Sequence, residues 1–203
     1  MRTKFAMLVA LEDRTFFGRI ENSHTVFSPV IAKSALKYMT IRQFLHPFRT
    51  LRKIFSRGYG TIEMQLIRSV GVLHGYDQCK IRRKFFEIVY STLIFNSYRQ
   101  RFLEYNGDDT QYKMWILWCY IQKVPVRFKR RFFPMNDSTT SQQVFGKSFE
   151  DLTLEEFFVW CLSLEFFAII GPKTVNQRED IIIDYNLNRA NIDSALRRAY
   201  SVD

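Results

Sequence analysis

The sequence predicts an all-α protein, and three observations support that prediction. The chain has 203 residues, 47% of them hydrophobic, which is enough to bury a core. It contains only eight glycines and five prolines, too few for a turn-rich β-sandwich. Apolar residues recur at helical spacing, whereas the alternating pattern of half-buried strands does not recur. We therefore expect one helical domain with long loops.

Two helices and one irregular segment are predicted in the N-terminal part. Phe5–Phe17 begins with an apolar run and carries Glu12 near its end. Val30–Met39 has apolar residues on one helical face and lysines on another. Phe44–Phe55 mixes apolar and basic residues around Pro47, so we expect an exposed amphipathic segment that can lie on a membrane surface.

Polar residues mark the start of three further helices. Thr61 can cap a helix over Ile62–Val70, and Asp77 can cap a long helix from Gln78 to about residue 105. Thr110 precedes a short helix at 112–122, which is apolar nearly all round and therefore expected to be buried.

The C-terminal part begins with Pro125–Thr140, a basic and then polar stretch that we expect to be irregular. Thr153 and Glu156 fit a capping box that opens a helix over Leu154–Ile170. A Gly-Pro pair at 171–172 should end that helix. Asn191–Tyr200 is predicted to be a short helix within a divergent tail, 173–203.

The chain is strongly basic, with a net charge of +10 and a pI of about 9.6. This charge favours an anionic partner, such as nucleic acid, anionic lipid or a phosphorylated ligand. The basic residues cluster at 49–57, 80–84, 99–101 and 127–131. No stretch reaches the ~18 consecutive apolar residues of a membrane span. The three cysteines lack metal-ligand spacing, which argues against a zinc site or a disulfide framework.

The first candidate constellation is Leu11–Phe17, where Glu12 and Asp13 stand between an apolar run and two aromatic rings. Partial shielding from water raises the pKa of a carboxyl, and a glutamate can then accept a proton near neutral pH. The alternative is a helix end with a solvated Asp13 and with Glu12 paired to Arg14 or Arg19. Taken alone, this stretch favours the alternative.

The second constellation is Arg83-Lys84-Phe-Phe-Glu87. Helical spacing places the two cations one turn from Glu87, where they would keep it ionised and form an anion-binding site. An ordinary surface ion pair, contributing about 0.3–0.5 kcal/mol, is the alternative.

The third constellation is Gly58-Tyr-Gly60 followed by the predicted helix at 62–70. Glycines before a helix let backbone amides approach a ligand, and the helix N-terminus favours anions. Gln65 and Arg68 lie further along the same helix and could face that ligand. A glycine turn before a capped helix is the alternative.

Together these pieces resemble the first four motifs of the family 51 glycosyltransferases, the peptidoglycan glycosyltransferase domains of penicillin-binding proteins and their monofunctional relatives. The motifs, in order, read Glu-Asp-x-x-Phe-Phe, Gly-x-Gly-Thr-Ile-x-x-Gln-Leu-x-Arg, Arg-Lys-x-x-Glu and Lys113-x-x-Ile-Leu-x-x-Tyr120. The later segment Phe145–Glu156 is similar to a further block of that family. The resemblance extends from about Leu8 to Pro172.

The resemblance implies a lysozyme-like, all-α fold with a small membrane-contacting jaw, which would fall at about 40–57. It implies polymerisation of lipid II, with Glu12 as general base and Glu87 as second acidic residue. The implied substrate-binding residues are Asp13, Phe16, Thr61, Gln65, Arg68, Arg83, Lys84 and Lys113. It also implies attachment to the outer face of a bacterial inner membrane and cell-wall synthesis partners. No cofactor is certain, and a need for a divalent cation such as Mg²⁺ or Mn²⁺ stays open.

The sequence departs from the family pattern at several positions, which puts efficiency and substrate identity in question. Arg19, Glu21, Tyr59, Gly60, Glu63, Met64, Trp118 and Gln122 stand where the family has other residues. The family's fifth motif, its N-terminal anchor and a transpeptidase domain have no clear counterpart. Two alternatives follow: a binding protein of the same fold for lipid-linked saccharides and, ranked last, a basic helical nucleic-acid binder.

Overall fold

The structure is a computed structural model that describes residues 2–14, 16–17, 61–70, 80–128, 131–163, 175–176 and 178–201. These residues form eight α-helices and one two-stranded sheet, so the predicted all-α class is confirmed apart from a short hairpin. The helices are α1 Arg2–Glu12, α2 Ile62–Ser69, α3 Lys80–Asn106, α4 Asp109–Lys123, α5 Ser138–Phe145, α6 Leu154–Leu162, α7 Glu179–Asp184 and α8 Arg189–Ser201. The strands are β1 Pro125–Phe128 and β2 Arg131–Pro134, and a 3-10 turn covers Phe149–Asp151.

Several predictions lie outside the described residues. They are the helix at 30–39, the amphipathic segment at 44–55, the Asp77 cap and the Gly-Pro stop at 171–172. The chain divides into two compact units, one of Met1–Glu12 with Trp118–Asp203 and the other of Asp13–Leu117. Among the described residues, no helix combines the length and apolar character needed to cross a bilayer.

The core of the first unit forms where α1 packs against α6 and α7, while α8 packs against α5 and α6. The side chains of Leu8, Phe158 and Trp160 are fully buried there. The Trp160 indole N–H donates to the carbonyl of Met135 at 2.7 Å, so its polar atom is satisfied inside the core. The sequence explains this burial, because α6 is apolar along most of its length.

The prediction of an irregular Pro125–Thr140 was wrong. β1 and β2 pair antiparallel in the register Val126 opposite Phe133, and α5 begins at Ser138. Each strand is only four residues long, with a proline at its outer end, so the alternating pattern was too short to recognise. Asp137 caps α5 by accepting the amide N–H groups of Thr139 and Thr140 at 3.2 and 3.3 Å.

The predicted capping box of α6 is confirmed. The Thr153 hydroxyl accepts the amide N–H of Glu156 at 3.2 Å, and the Glu156 carboxylate accepts the amide N–H of Thr153 at 2.8 Å. The helix ends at Leu162 with Ser163 as its C-cap, so the prediction of an unbroken helix over 154–170 was wrong at this point; residues 164–170 lie outside the described residues.

The second unit is built on the long helix α3, which packs against α2. The Tyr112 hydroxyl of α4 donates to the carbonyl of Phe95 at 2.7 Å, and Arg99 pairs with Asp109 through two contacts of 2.7 and 2.9 Å. The helix predicted after Thr110 starts earlier, at Asp109. The Asp108 side chain accepts the Thr110 amide N–H at 2.7 Å. The helix is also not buried all round, because Trp118 is 54% exposed.

Candidate functional site

The first two sequence motifs meet at the N-terminus of α2. Asp13 accepts the amide N–H of Ile62 at 3.2 Å, and the Thr61 hydroxyl accepts that of Met64 at 3.3 Å. Both side chains are buried. A carboxylate is favourable at a helix N-terminus, where unpaired amides carry partial positive charge. The anion at this helix end is thus Asp13, and the Thr61 cap predicted from sequence is confirmed.

The second and third motifs meet at Glu87, whose side chain is completely buried. The Arg68 Nε donates to Glu87 Oε1 at 2.8 Å, and the Arg83 Nε lies 3.4 Å from the same oxygen. Both arginines are about one-quarter exposed or less. The Arg83–Glu87 pair was predicted from helical spacing, but Arg68 was predicted only to face a ligand. Two guanidinium groups around one carboxylate leave the cluster with a formal charge of +1.

Two other residues predicted to bind the anion lie on the same helices. Lys84 follows Arg83 in α3, and Gln65 lies one turn before Ser69 in α2. Gln65 is 5% exposed, and its backbone carbonyl accepts the Ser69 hydroxyl at 3.0 Å. Gln65 is therefore a buried residue of α2, while Lys84 is placed by its backbone alone.

The first and fourth motifs meet at Lys113, which is 5% exposed. Its ammonium group donates to the backbone carbonyl of Phe17. It also lies 5.2 Å from the ring centre of Phe17 and 6.0 Å from that of Phe16, within the range of cation–π attraction. The two rings pack edge to face at 5.2 Å. Lys113 was predicted to bind substrate, and the structure places it against the turn that follows Asp13.

Glu12 is the last residue of α1 and belongs to the first unit. Its Oε1 atom exposes less than 1 Å² to solvent, which fits the prediction of a partly shielded carboxylate. Burial and the nearby charge of Glu12 raise the pKa of the Cys161 thiol well above its ordinary value. Arg83 and Lys84 belong to the second unit. A groove that they share with Glu12 therefore stays a prediction.

The later block, Phe145–Glu156, forms a structural junction in the first unit. Glu156 is 2% exposed, and the Lys147 ammonium lies 3.1 and 3.0 Å from its two oxygens. Arg198 of α8 lies 3.0 Å from Glu156 Oε1 and stacks over the Phe145 ring at 5.7 Å. Sequence reasoning missed Arg198, because no local spacing links residues 42 positions apart.

The electrostatics of this junction favour an ionised carboxylate. Burial is the largest single influence on Glu156 and raises its pKa. The Thr153 amide N–H, Lys147 and Arg198 act in the opposite direction and together outweigh burial, so the pKa of Glu156 is lowered. The carboxylate therefore stabilises the folded chain in its charged form.

Within the described parts of the chain, no group of three or more His, Cys, Asp or Glu side chains is arranged to hold a metal ion. A requirement for a divalent cation therefore stays open. Comparison of the chain with known protein families, with curated proteins and with solved structures finds no match.

Proposed function

We propose that this protein is a divergent peptidoglycan glycosyltransferase that polymerises lipid II-type saccharides, with a lysozyme-like helical fold and a jaw at about 40–57. One observation carries the proposal. Motifs that occur in the family's order along the sequence also contact each other in pairs: Asp13 with α2, Arg68 with Glu87, and Lys113 with Phe17. Ordinary capping and ion pairing explain each contact separately. They do not explain why all three contacts join segments that resemble motifs of one family.

The proposed reaction transfers a glycan strand from its lipid pyrophosphate to the next saccharide. The acceptor 4-hydroxyl loses its proton to Glu12 as its oxygen attacks the anomeric carbon of the donor. The bond from that carbon to the pyrophosphate oxygen breaks, and the lipid pyrophosphate leaves with the electron pair. Glu12 fits the role of base, since partial shielding from water favours proton uptake by a carboxylate.

The remaining residues divide into two groups under this proposal. Arg68, Arg83 and Lys84 would stabilise negative charge on the departing pyrophosphate, and Glu87 would keep the two arginines in place. Gln65 would line the same side of the donor. Asp13, Thr61 and Lys113 would act as positioning residues, because their contacts fix the turn that contains Phe16 and the start of α2. Precise placement of the reacting groups supplies much of the rate in such a transfer.

A binding protein of the same fold is the second candidate. Arg68 and Arg83 are both directed at Glu87, which reduces the positive charge offered to a pyrophosphate. Such a protein would hold a lipid-linked saccharide without joining it to another. A nucleic-acid binder ranks third and would show a gel shift at physiological salt.

The test is incubation of the whole protein with labelled lipid II in detergent, with and without Mg²⁺, followed by separation of the products by size. The proposed function predicts glycan strands longer than the starting disaccharide. Saturable binding of lipid II without any longer product would instead establish the binding protein. Neither binding nor turnover, together with a gel shift, would overturn both in favour of the third candidate.

A further inference from the structure

The surface that stands out is an aromatic stripe on α3, made of Phe85, Phe86, Val89, Tyr90 and Leu93. Phe85 and Leu93 are each 61% exposed, and Tyr90 is 36% exposed. The Phe86 ring lies 5.8 Å from that of Phe85 and 5.9 Å from that of Tyr90. Residues spaced by four and eight share one side of a helix, so the stripe is a continuous apolar surface.

The stripe faces away from the buried side of the helix. Glu87, Ser91 and Phe95 form a buried row at four-residue spacing. Phe85 and Leu93 are offset from that row by two residues, about 200° around the axis at roughly 100° per residue. Glu87, Ser91 and Phe95 pack inside the second unit, so the stripe lies on the opposite, exposed side of α3.

Basic residues accompany the stripe. From Lys80 to Arg101 the sequence has six basic residues and one acidic residue, Glu87. Two of the six are engaged within the second unit, Arg83 with Glu87 and Arg99 with Asp109. Arg82 and Arg101 are exposed at the two ends, about 28 Å apart along the helix at about 1.5 Å per residue. An apolar stripe with an exposed arginine beyond each end complements a surface that has an apolar interior and an anionic outer layer.

This chemistry favours a lipid bilayer over the other candidate occupants. A second copy of the chain would bring two helical segments of like charge together, which is repulsive. Nucleic acid would need cations along the middle of the stripe, where Val89 and Leu93 lie instead. At a bilayer surface, Phe and Leu enter the acyl boundary, tyrosine rings lie at headgroup level and arginines meet lipid phosphates.

We propose that the aromatic stripe of α3 docks on an anionic lipid surface. The inference deepens the proposed function and rests on it for the expectation that the substrate is embedded in a membrane. It assigns a membrane contact in addition to the one expected at 44–55. It assigns no role in the chemical step to the stripe residues.

The test is co-sedimentation of the whole protein with vesicles of phosphatidylcholine containing about one-third phosphatidylglycerol. The double variant Phe85→Glu with Leu93→Glu should bind at least about ten-fold more weakly, because it removes two apolar contacts and adds two repelled charges. Leu93→Gln alone should weaken binding about three-fold. The matched control is Ile183→Glu in α7, where an isoleucine is 69% exposed, and it should bind within about two-fold of the parent.

Unchanged vesicle binding by either stripe variant, with the helical circular dichroism of the parent, would overturn the inference. Equal binding to pure phosphatidylcholine vesicles, or stripe-dependent binding to duplex DNA in place of vesicles, would overturn it as well. The measurement uses no saccharide, so its outcome is separate from catalysis. Stripe-dependent vesicle binding by a protein that makes no glycan would contradict the proposed function and support the docking surface.

Discussion

Two buried carboxylates, one in each unit, are each surrounded by two cationic side chains, yet their settings differ. Glu87 lies in the N-terminal third of α3, and the Nε atoms of Arg68 and Arg83 approach its Oε1. Glu156 lies in the first turn of α6, and its contacts are spread over both oxygens. The partners of Glu156 are Lys147, Thr153 and Arg198.

The difference lies in what each carboxylate holds in place, since two cationic side chains contact each of them. Glu156 accepts a backbone N–H at a helix start and joins three segments of the first unit, a structural role. Glu87 binds side chains of α2 and α3 and so determines where two guanidinium groups lie. We therefore expect Glu156 to govern stability and Glu87 to govern the chemistry of an anionic substrate.

The largest expected effect is a difference in polymerisation activity between variants of Glu87 and Glu156. Glu87→Gln should lower glycan polymerisation by about 100-fold or more, because Arg68 and Arg83 lose the carboxylate that holds them in place at the proposed pyrophosphate site. Glu156→Gln should stay within about three-fold of the parent at a temperature where it is folded. Turnover of labelled lipid II, with folding followed by circular dichroism, measures both.

Equal losses of activity in the two folded variants would remove the functional distinction. Arg68→Lys sharpens the test, because it keeps the charge but loses the guanidinium geometry. It should lower activity about ten-fold and cost about 1 to 2 kcal/mol of stability, because it weakens a charge-assisted hydrogen bond to a fully buried carboxylate.

The next largest effect is on the free energy of unfolding, which we expect Glu156 to influence. Glu156→Gln should lower the free energy of unfolding by about 2 kcal/mol, since it removes charge-assisted contacts to a buried group. The partial exposure of Lys147 and Arg198 holds the loss below that of a fully buried pair. Urea unfolding followed by circular dichroism gives the value. A loss below about 0.5 kcal/mol would show that the junction is not structural.

Acid sensitivity is the third difference. The folded-state pKa of Glu156 lies below its ordinary value of 4.5. The stability that its charged form provides is therefore present above that value and is lost as the pH falls through the lowered one. The stability gap between the parent and Glu156→Gln should narrow progressively below about pH 4.5. A gap that stays constant down to pH 2 would contradict the lowered pKa.

The smallest effect concerns the capping box. Thr153→Ala should cost about 1 kcal/mol of unfolding free energy, because the first turn of α6 loses its side-chain acceptor. Thr153→Ser keeps a hydroxyl and should cost less than half as much. If serine and alanine are equally destabilising in thermal unfolding, the hydroxyl bond to the Glu156 amide is not what stabilises the helix start.

Local sequence predicted those features that depend on neighbours within one turn. Thr153 with Glu156 and Arg83 with Glu87 were both recognised from spacing of three or four residues, and the structure has both contacts. The contact of Arg68 with Glu87 joins separate helices, 19 residues apart. Spacing could place each residue on its own helix, but packing of α2 on α3 decides that they meet.

The features that the sequence did not predict have the same physical origin. The hairpin at 125–134 owes its pairing to contacts across the two strands, and four residues are too few to display a period of two. The Lys113 contact to Phe17 spans 96 residues and depends on the chain reversing between them. Motif order indicated that these residues act together, whereas their individual partners required the folded chain.

The most direct test of the account concerns Glu12, because the proposed reaction needs a proton acceptor at that position. Glu12→Gln keeps the size of the side chain and one of its acceptor oxygens but cannot take up a proton at neutral pH. Glu150→Gln, an exposed glutamate of the same unit, is the matched control. With labelled lipid II, we expect Glu12→Gln to bind substrate like the parent and to polymerise it at least about 100-fold more slowly, and Glu150→Gln to match the parent. Polymerisation by Glu12→Gln at the parental rate would contradict the account.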